Sequence, residues 1–208
     1  MLLIVSDLAC AATVISEEKI KASHKWLEKG KSLSRSGKHQ DAIKAYDKAI
    51  ELNPMLNKAY NNRGNVYFDK QEYDKAIDDC TRSIKLNPRQ YKVYSNHGVA
   101  YRLTERFDRA VKDYTRAIKL APRYYPANYN CGIAYHYKKQ YRKAIDDYTK
   151  AIKVNPRFDK AYYNRGIAYR LIQQSGKADE DFKKAQEIIK KYGTETLRDT
   201  EAVWDAVR

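Results

Sequence analysis

Apolar and polar residues alternate with the period of an α-helix in short stretches that are separated by polar turns. In residues 57–90, Tyr60, Gly64 and Tyr67 fall on one helical face by the i, i+4, i+7 rule. A second amphipathic stripe begins at Ala76, after a polar segment with the composition of a turn. The pattern therefore predicts two consecutive helices, here called helix A and helix B, joined by a short connection.

The same pattern returns every 34 residues along the chain. Three residue types keep this interval: a glycine in helix A, an alanine in helix B and a proline after helix B. They are Gly30, Gly64, Gly98, Gly132 and Gly166; Ala42, Ala76, Ala110, Ala144 and Ala178; and Pro54, Pro88, Pro122 and Pro156. The proline ends helix B because the residue before a proline is pushed out of the α region. A fixed period of this length indicates a repeat architecture, a stack of helix pairs that presents an extended surface.

The period also sets the domain organisation, with the repeats spanning residues 23–192. The five units are 23–56, 57–90, 91–124, 125–158 and 159–192. The fifth unit has Lys190 in place of the proline, so its helix B is predicted to run on and to stop at Gly193. Residues 193–208 carry apolar side chains among charged ones, which predicts a capping helix over the last exposed apolar face. Residues 1–22 form a separate N-terminal segment.

The glycine and alanine columns predict a close crossing of the two helices in every unit. A glycine inside a helix costs about 1 kcal/mol relative to alanine. Its recurrence at the same position of every unit therefore needs a compensating contact. A residue without a side chain on helix A, facing a small residue on helix B, lets the two backbones approach. We therefore expect the glycine of each unit to face the alanine of the same unit.

Charged residues form two further columns next to these packing positions. Arg63 and Arg165 precede their glycines, and four aspartates recur on helix B. The aspartates are Asp79, Asp113, Asp147 and Asp181. These columns fit either ion pairs within a unit or a solvated face, and both interpretations give them a structural role of small individual value.

The pattern resembles the tetratricopeptide repeat family. The resemblance rests on aromatic, glycine, alanine and proline positions at fixed places in each unit. In the third unit they are Tyr94, Gly98, Tyr101, Ala110, Tyr114, Ala117 and Pro122. Other units depart from the pattern at Cys80, Ser83 and Asn128. The resemblance implies an all-α fold, a right-handed α-solenoid in which helix A lines a concave groove and helix B faces outward.

In such a solenoid the A helices carry recognition, and this chain repeats polar residues there. An asparagine recurs in four units, and in three of them a lysine lies one helical turn earlier and points the same way. Asparagine can pair with both the N–H and the C=O groups of an extended peptide. Arginines lie two turns further along, and tyrosines offer flat contact surfaces. The candidate groove residues are Asn62, Asn96, Asn130, Asn164, Lys58, Lys92, Lys160, Arg102, Arg170, Tyr129 and Tyr163.

Charge points to the same kind of partner. The chain carries 41 Lys and Arg residues against 26 Asp and Glu residues, a net charge of +15, which favours acidic partners. The leading hypothesis is a non-enzymatic protein–protein interaction scaffold that binds an extended acidic peptide in a basic groove. The alternatives are binding of RNA or another polyanion to the basic surface, and self-assembly through the ends of the solenoid. The near-constant asparagine column disfavours RNA, because base-reading repeats vary their side chains.

Catalytic and metal-binding patterns are not recognisable in the sequence. It contains no nucleophile–base pair and no phosphate-binding loop, and its four histidines lack metal-ligand spacing. We therefore expect no enzymatic activity, no cofactor and no metal. Cys80 and Cys131 lie in non-neighbouring units, which predicts free, buried thiols rather than a disulfide.

The first residues leave two interpretations open for the compartment. Residues 1–12 are apolar and small apart from Asp7, and they are too short to span a bilayer. Ala9, Cys10 and Ala11 fit a small-residue cleavage pattern, so the segment would be the remnant of a signal peptide of an exported or periplasmic protein. It fits equally a leading helix that covers the first unit of a cytoplasmic protein.

Overall fold

A computed structural model of the protein describes residues 15–193, and the regular secondary structure in that range is entirely α-helical. The helices of the described part are α1 (Glu17–Arg35), α2 (His39–Leu52), α3 (Asn57–Asp69), α4 (Tyr73–Leu86), α5 (Tyr91–Leu103), α6 (Phe107–Leu120), α7 (Tyr125–Tyr137), α8 (Tyr141–Val154), α9 (Asp159–Leu171) and α10 (Ser175–Tyr192). Odd-numbered helices are the A helices and even-numbered helices are the B helices, so the predicted all-α stack of helix pairs is confirmed. Residues 194–208 of the predicted capping helix (193–208) and the first 14 residues lie outside the described part.

The turn between helix A and helix B has one left-handed residue in each unit. The residue after it donates its N–H to a carbonyl in helix A, as Glu72 does to Tyr67 at 2.8 Å. This hydrogen bond satisfies a carbonyl that the helix end would otherwise leave free. The left-handed residues are Gly37, with a φ of 73°, and Gln71, Glu105, Lys139 and Gln173, with φ between 57° and 61°.

Helix B ends where the sequence predicts. Asn53, the residue before a proline, has an extended backbone with φ of −142° and ψ of 91°. Asn87 and Asn155 repeat this geometry in the second and fourth units. In the fifth unit α10 continues to Tyr192, and Gly193 then has a φ of 76°, which glycine adopts at little cost.

The units stack so that A helices lie side by side. Each A helix contacts the A helix of the next unit, and each B helix contacts the A helix that follows it. Between residues 15 and 193, no two B helices have a Cα pair within 8 Å. The A helices therefore form the inner side of the stack and the B helices form its outer side. We call the surface of the A helices that faces away from the B helices the inner face.

The glycine column is explained by aromatic rings rather than by the alanines alone. A Cβ atom added to Gly30 would lie 2.5 Å from the Tyr46 ring, and one added to Gly132 would lie 2.6 Å from the Tyr148 ring. Both rings are almost completely buried. The expected approach to the alanine is present in the second and fourth units, where the added Cβ atom would lie 3.5 Å from the Ala76 carbonyl oxygen and 3.2 Å from that of Ala144. A glycine–aromatic contact is added to it, and the missing side chain leaves room for a helix B ring.

Candidate functional site

The inner face is open at the second and third units. Lys58 and Lys92 are exposed there, and Asn62 and Asn96 are half-buried beside them. Among residues 15–193, neither lysine has an acidic side chain within salt-bridge distance. Two ammonium groups and two carboxamides are therefore accessible together on adjacent A helices.

We call the four recurring asparagines of the A helices, Asn62, Asn96, Asn130 and Asn164, the asparagine ladder. Three of them have side-chain hydrogen-bond partners. Asn96 donates to the Oδ1 atom of Asn65 at 3.1 Å, across two neighbouring A helices. Asn164 donates to the hydroxyl of Tyr129 at 2.9 Å, and Asn62 accepts from its neighbour in sequence. Asn65 is a polar member of this surface that the 34-residue pattern does not predict, although it lies one helical turn after Asn62. These bonds fix the direction of the carboxamides on the open part of the inner face.

Asn130 differs from the rest of the ladder. Its side chain is fully buried, and neither its Nδ2 nor its Oδ1 atom has a hydrogen-bond partner. The residue one unit after Asn65 is Val99, so the acceptor that serves Asn96 has an apolar counterpart in the next unit. In this structure Asn130 is not available to a peptide, contrary to the expectation of a continuous exposed ladder.

Three more of the predicted groove residues are buried near the fourth unit. Arg102 is 3% exposed, and Lys160 and Tyr129 are buried as well. Arg102 lies among buried tyrosines, where burial raises the pKa of Tyr129 and the nearby guanidinium works against the rise. The Tyr129 ring packs against Phe158 at 4.7 Å, so it contributes to the core rather than offering a flat exposed surface. The inner face is therefore closed around α7.

The last two predicted groove residues lie at the C-terminal end of the described stack. Tyr163 is 44% exposed, and Arg170 pairs with Asp179 at 3.1 Å. The Arg170 guanidinium also lies 4.8 Å from the centre of the Phe182 ring. Tyr163, Arg170 and Phe182 line a cavity of about 500 Å³ between α9 and α10. These two residues form a separate surface from the lysines and asparagines of the second and third units.

The arginine and aspartate columns form ion pairs within a unit, as one of the two interpretations predicted. Arg63 donates from Nε and Nη2 to the Asp79 carboxylate at 2.8 and 2.6 Å. Burial works against the charge of Arg63, but the hydrogen bonds to Asp79 outweigh it and hold the Arg63 pKa above its usual value. Both side chains are largely buried, so these pairs are not the solvated face that was the other interpretation.

Each arginine also reaches the preceding helix B. Arg165 pairs with Asp181 and donates from Nη1 to the Thr149 hydroxyl at 3.0 Å. We call this set of three positions a bridge: one residue on the preceding helix B, one on helix A and one on the helix B of the same unit. The bridges of the second to fifth units are Asp47–Arg63–Asp79, Thr81–His97–Asp113, Thr115–Cys131–Asp147 and Thr149–Arg165–Asp181. Their regular spacing marks them as part of the scaffold.

The cysteine thiols give a direct test of the described packing. Cys80 and Cys131 are free and buried, as predicted, and burial raises the pKa of Cys80 to about 12 and also raises the pKa of Cys131. In a Cys10→Ser variant, we expect neither thiol to react with Ellman's reagent in the native protein, because the thiolate is the reactive form. Both should react after denaturation. An added cysteine at exposed Lys112 is the positive control, and native labelling of either buried thiol would contradict the packing.

Two kinds of feature are not found in the described residues. Within 15–193, no three His, Cys, Asp or Glu side chains are grouped as a metal ion would require. In the same range no helix has the length and apolar character needed to cross a membrane.

Family models match most of the chain. Models described as tetratricopeptide repeat match residues 58–90, 91–124, 125–158 and 147–180. A further model, described as TPR repeat, matches residues 30–71. Together the matches run without a gap from residue 30 to residue 180.

Solved structures with the same fold include MamA and YrrB. One MamA crystal structure is 29% identical, covers 78% of this chain and 95% of its own, and has a TM-score of 0.76. A second MamA structure is 27% identical, covers 85% and 98%, and has a TM-score of 0.78. YrrB, described as a TPR protein with an unusual peptide-binding site, is 24% identical, covers 84% and 91%, and has a TM-score of 0.73. The fold is thus shared over nearly the full length of each of these proteins.

Proposed function

This chain belongs to the tetratricopeptide repeat family, and from that membership we propose that it is a non-enzymatic scaffold that binds an extended acidic peptide on its inner face. The family and the fold are those of protein-interaction scaffolds. The acidic character of the peptide and its place on the inner face are specific to the proposal. YrrB, which shares the fold, is described as having a peptide-binding site.

The observation that carries the proposal is the open surface of the second and third units. Lys58 and Lys92 place two positive charges there without acidic partners within salt-bridge distance in the described part of the chain. Asn62 and Asn96 lie one helical turn from these lysines and offer donors and acceptors at the same height of each helix. An extended peptide crossing α3 and α5 would meet a carboxamide for its backbone and an ammonium for an acidic side chain.

The burial of Asn130 and Arg102 narrows the proposed site. A peptide that ran the full length of the inner face would need four accessible asparagines, whereas the one on α7 is enclosed. The proposed contact therefore covers α3 and α5 and does not continue onto α7. Its size is that of a short peptide segment rather than of a folded domain.

The test is a selection from displayed random peptides, followed by affinity measurements on the best peptide. Acidic, extended sequences should be enriched. The double variant Lys58→Ala/Lys92→Ala should bind the peptide about tenfold more weakly, because each exposed charge contact contributes up to about 1 kcal/mol. The matched control is Lys85→Ala/Lys112→Ala, which removes the same charge from exposed positions on B helices. It should bind with nearly unchanged affinity at physiological salt, where distant charges are screened.

Two results would contradict the proposal. Equal losses in the two double variants would show that net charge, and not the inner face, attracts the peptide. Tighter saturable binding of a single-stranded RNA than of any selected peptide would favour the polyanion alternative. An Asn96→Ala variant tests the carboxamide contact separately from the charge contacts, since it removes a carboxamide and leaves both lysines in place.

A further inference from the structure

The fourth unit is the one among the second to fifth units whose bridge has no basic side chain on helix A. Its helix A residue is Cys131, whereas the neighbouring units have His97 and Arg165 at that position. Asp147 is still present on helix B and still buried. A buried carboxylate thus keeps its place while the arginine that meets it in the second and fifth units is missing.

A second position of the same unit also carries a smaller residue than its counterpart in the fifth unit. In the fifth unit the Arg165 guanidinium lies between two rings, 5.6 Å from the centre of Tyr162 and 5.8 Å from that of Tyr169. The fourth unit keeps the second ring as Tyr135 but has Asn128 in place of the first. The arginine and one of the two rings that enclose it are therefore both replaced by smaller residues.

These two changes leave a cavity of about 350 Å³ between α6, α7 and α8. Its lining includes the whole bridge of the fourth unit and both ring positions: Thr115, Asn128, Cys131, Tyr135 and Asp147. In the fifth unit Cys131 corresponds to Arg165 itself, and the other four places, Thr149, Tyr162, Tyr169 and Asp181, surround its guanidinium. The cavity therefore occupies the space that an arginine fills elsewhere in the same molecule.

The hydroxyl of Thr115 is already oriented as an acceptor. Thr149 donates to the carbonyl of Ile145 at 2.7 Å and at the same time accepts a hydrogen bond from Arg165. Thr115 makes the equivalent bond to the carbonyl of Val111 at 2.8 Å. Since its proton is used in that bond, its remaining lone pairs are free to accept from a group in the cavity.

We infer that this cavity binds a guanidinium group, the group that an arginine side chain of a partner chain presents, between the Asp147 carboxylate and the Thr115 hydroxyl. The bound group takes the place that Arg63 and Arg165 hold in their own units. The cavity lies on the side of the B helices, so this inference does not depend on peptide binding at the inner face.

Three lysines, Lys119, Lys143 and Lys150, also line the cavity, together with a second aspartate, Asp146. Of the three lysines, Lys150 pairs with Asp147 and would compete with such a ligand. Its Nζ atom lies 2.7 Å from Asp147, but its side chain is 62% exposed. Because the lysine of this pair is solvated while only the aspartate is buried, the pair contributes little and the ammonium is displaced easily. A planar guanidinium can donate two parallel hydrogen bonds to one carboxylate, which a single ammonium does not match. The site should therefore prefer guanidinium to ammonium.

The test is a titration of the full chain with methylguanidinium, followed by amide ¹H–¹⁵N spectra. Saturable shifts centred on Thr115, Cys131 and Asp147 are expected, with a dissociation constant on the order of 1–10 mM. Methylammonium is the matched ligand control and should bind at least about tenfold more weakly. An arginine-containing peptide should produce the same shifts as methylguanidinium, and its lysine counterpart should not.

Two variants separate this inference from its alternatives. Cys131→Arg supplies the guanidinium from the chain itself and should abolish the response, while Lys150→Ala removes the competitor and should strengthen binding about threefold. Asp147→Asn, which keeps the cavity and removes its charge, should also abolish the response if Cys131→Arg does not fold. Unchanged shifts in these blocking variants would overturn the inference. So would weaker binding in Lys150→Ala, since that result would indicate an anion site made by the lysines.

Discussion

An Asp181→Ala variant is expected to lose about 3 kcal/mol of unfolding free energy, because it leaves Arg165 charged and largely buried without its carboxylate. The two side chains are only 7% and 16% exposed, and Arg165 donates to both carboxylate oxygens at 2.7 and 2.8 Å. Removing one member of such a pair costs more than the pair contributes, since the remaining charge loses the carboxylate that neutralises it. Urea unfolding followed by circular dichroism measures the change, provided that the slope with denaturant stays constant.

The equivalent variant in the fourth unit, Asp147→Ala, is the matched control. It removes the same atoms from the same place in the repeat, but the partner on helix A is Cys131 and the nearby ammonium of Lys150 is well solvated. We expect a loss of about 1 kcal/mol. The difference between the two losses of unfolding free energy separates the effect of an unpaired buried charge from the effect of the lost side-chain volume. Equal losses would mean that the bridge contributes by packing alone.

A Gly132→Ala variant is expected to lower the free energy of unfolding by about 2 kcal/mol. The added Cβ atom would lie 2.6 Å from one carbon of the Tyr148 ring and 2.7 Å from another. That ring is 1% exposed and packs against Tyr129, so it has no free space into which to move. The resulting strain exceeds the roughly 1 kcal/mol that alanine gains over glycine in a helix. Thermal and urea unfolding of the purified variant measure the net change in the free energy of unfolding.

The same substitution at Gly64 should have a much smaller effect. The second unit has Cys80 where the other units have a ring, and the nearest neighbour of a Cβ atom on Gly64 would be the Asp79 Cβ atom at 3.2 Å. This contact is tight and offsets the gain in helix propensity, so stability should change by less than about 1 kcal/mol. Two glycines of one column thus predict effects of different size. A similar loss at both positions would show that the ring contact is not the cause.

The sequence predicts those features that depend on interval and helix periodicity alone. The helix pairs, the helix end at Asn53 and the stop at Gly193 follow from backbone preferences that act locally. The period also places Arg63 and Asp79 on the two helices of one unit, which leaves an ion pair and a solvated face as interpretations, and the structure shows the ion pair. These predictions need no knowledge of how the units curve.

Burial in the inner face depends on curvature and on the residues of adjacent units, which an interval does not reveal. Asn130 and Asn96 have the same place in the repeat, but one is enclosed and the other is accessible. The difference arises from neighbours such as Val99, which lies where the preceding unit has Asn65. Likewise, the glycine column indicates a close approach, but the phase of the period does not say whether a ring or an alanine fills the space.

The enclosure of α7 also determines the order in which the molecule comes apart. Every residue from 126 to 134 is buried, a run that no other described helix approaches, whereas α1 has only three buried residues and α10 only four. In a stack whose units contact only their neighbours, opening begins where the least surface is buried. The described stack should therefore open from α1 and α10 towards the fourth unit, and the most persistent structure will be the segment that encloses Asn130.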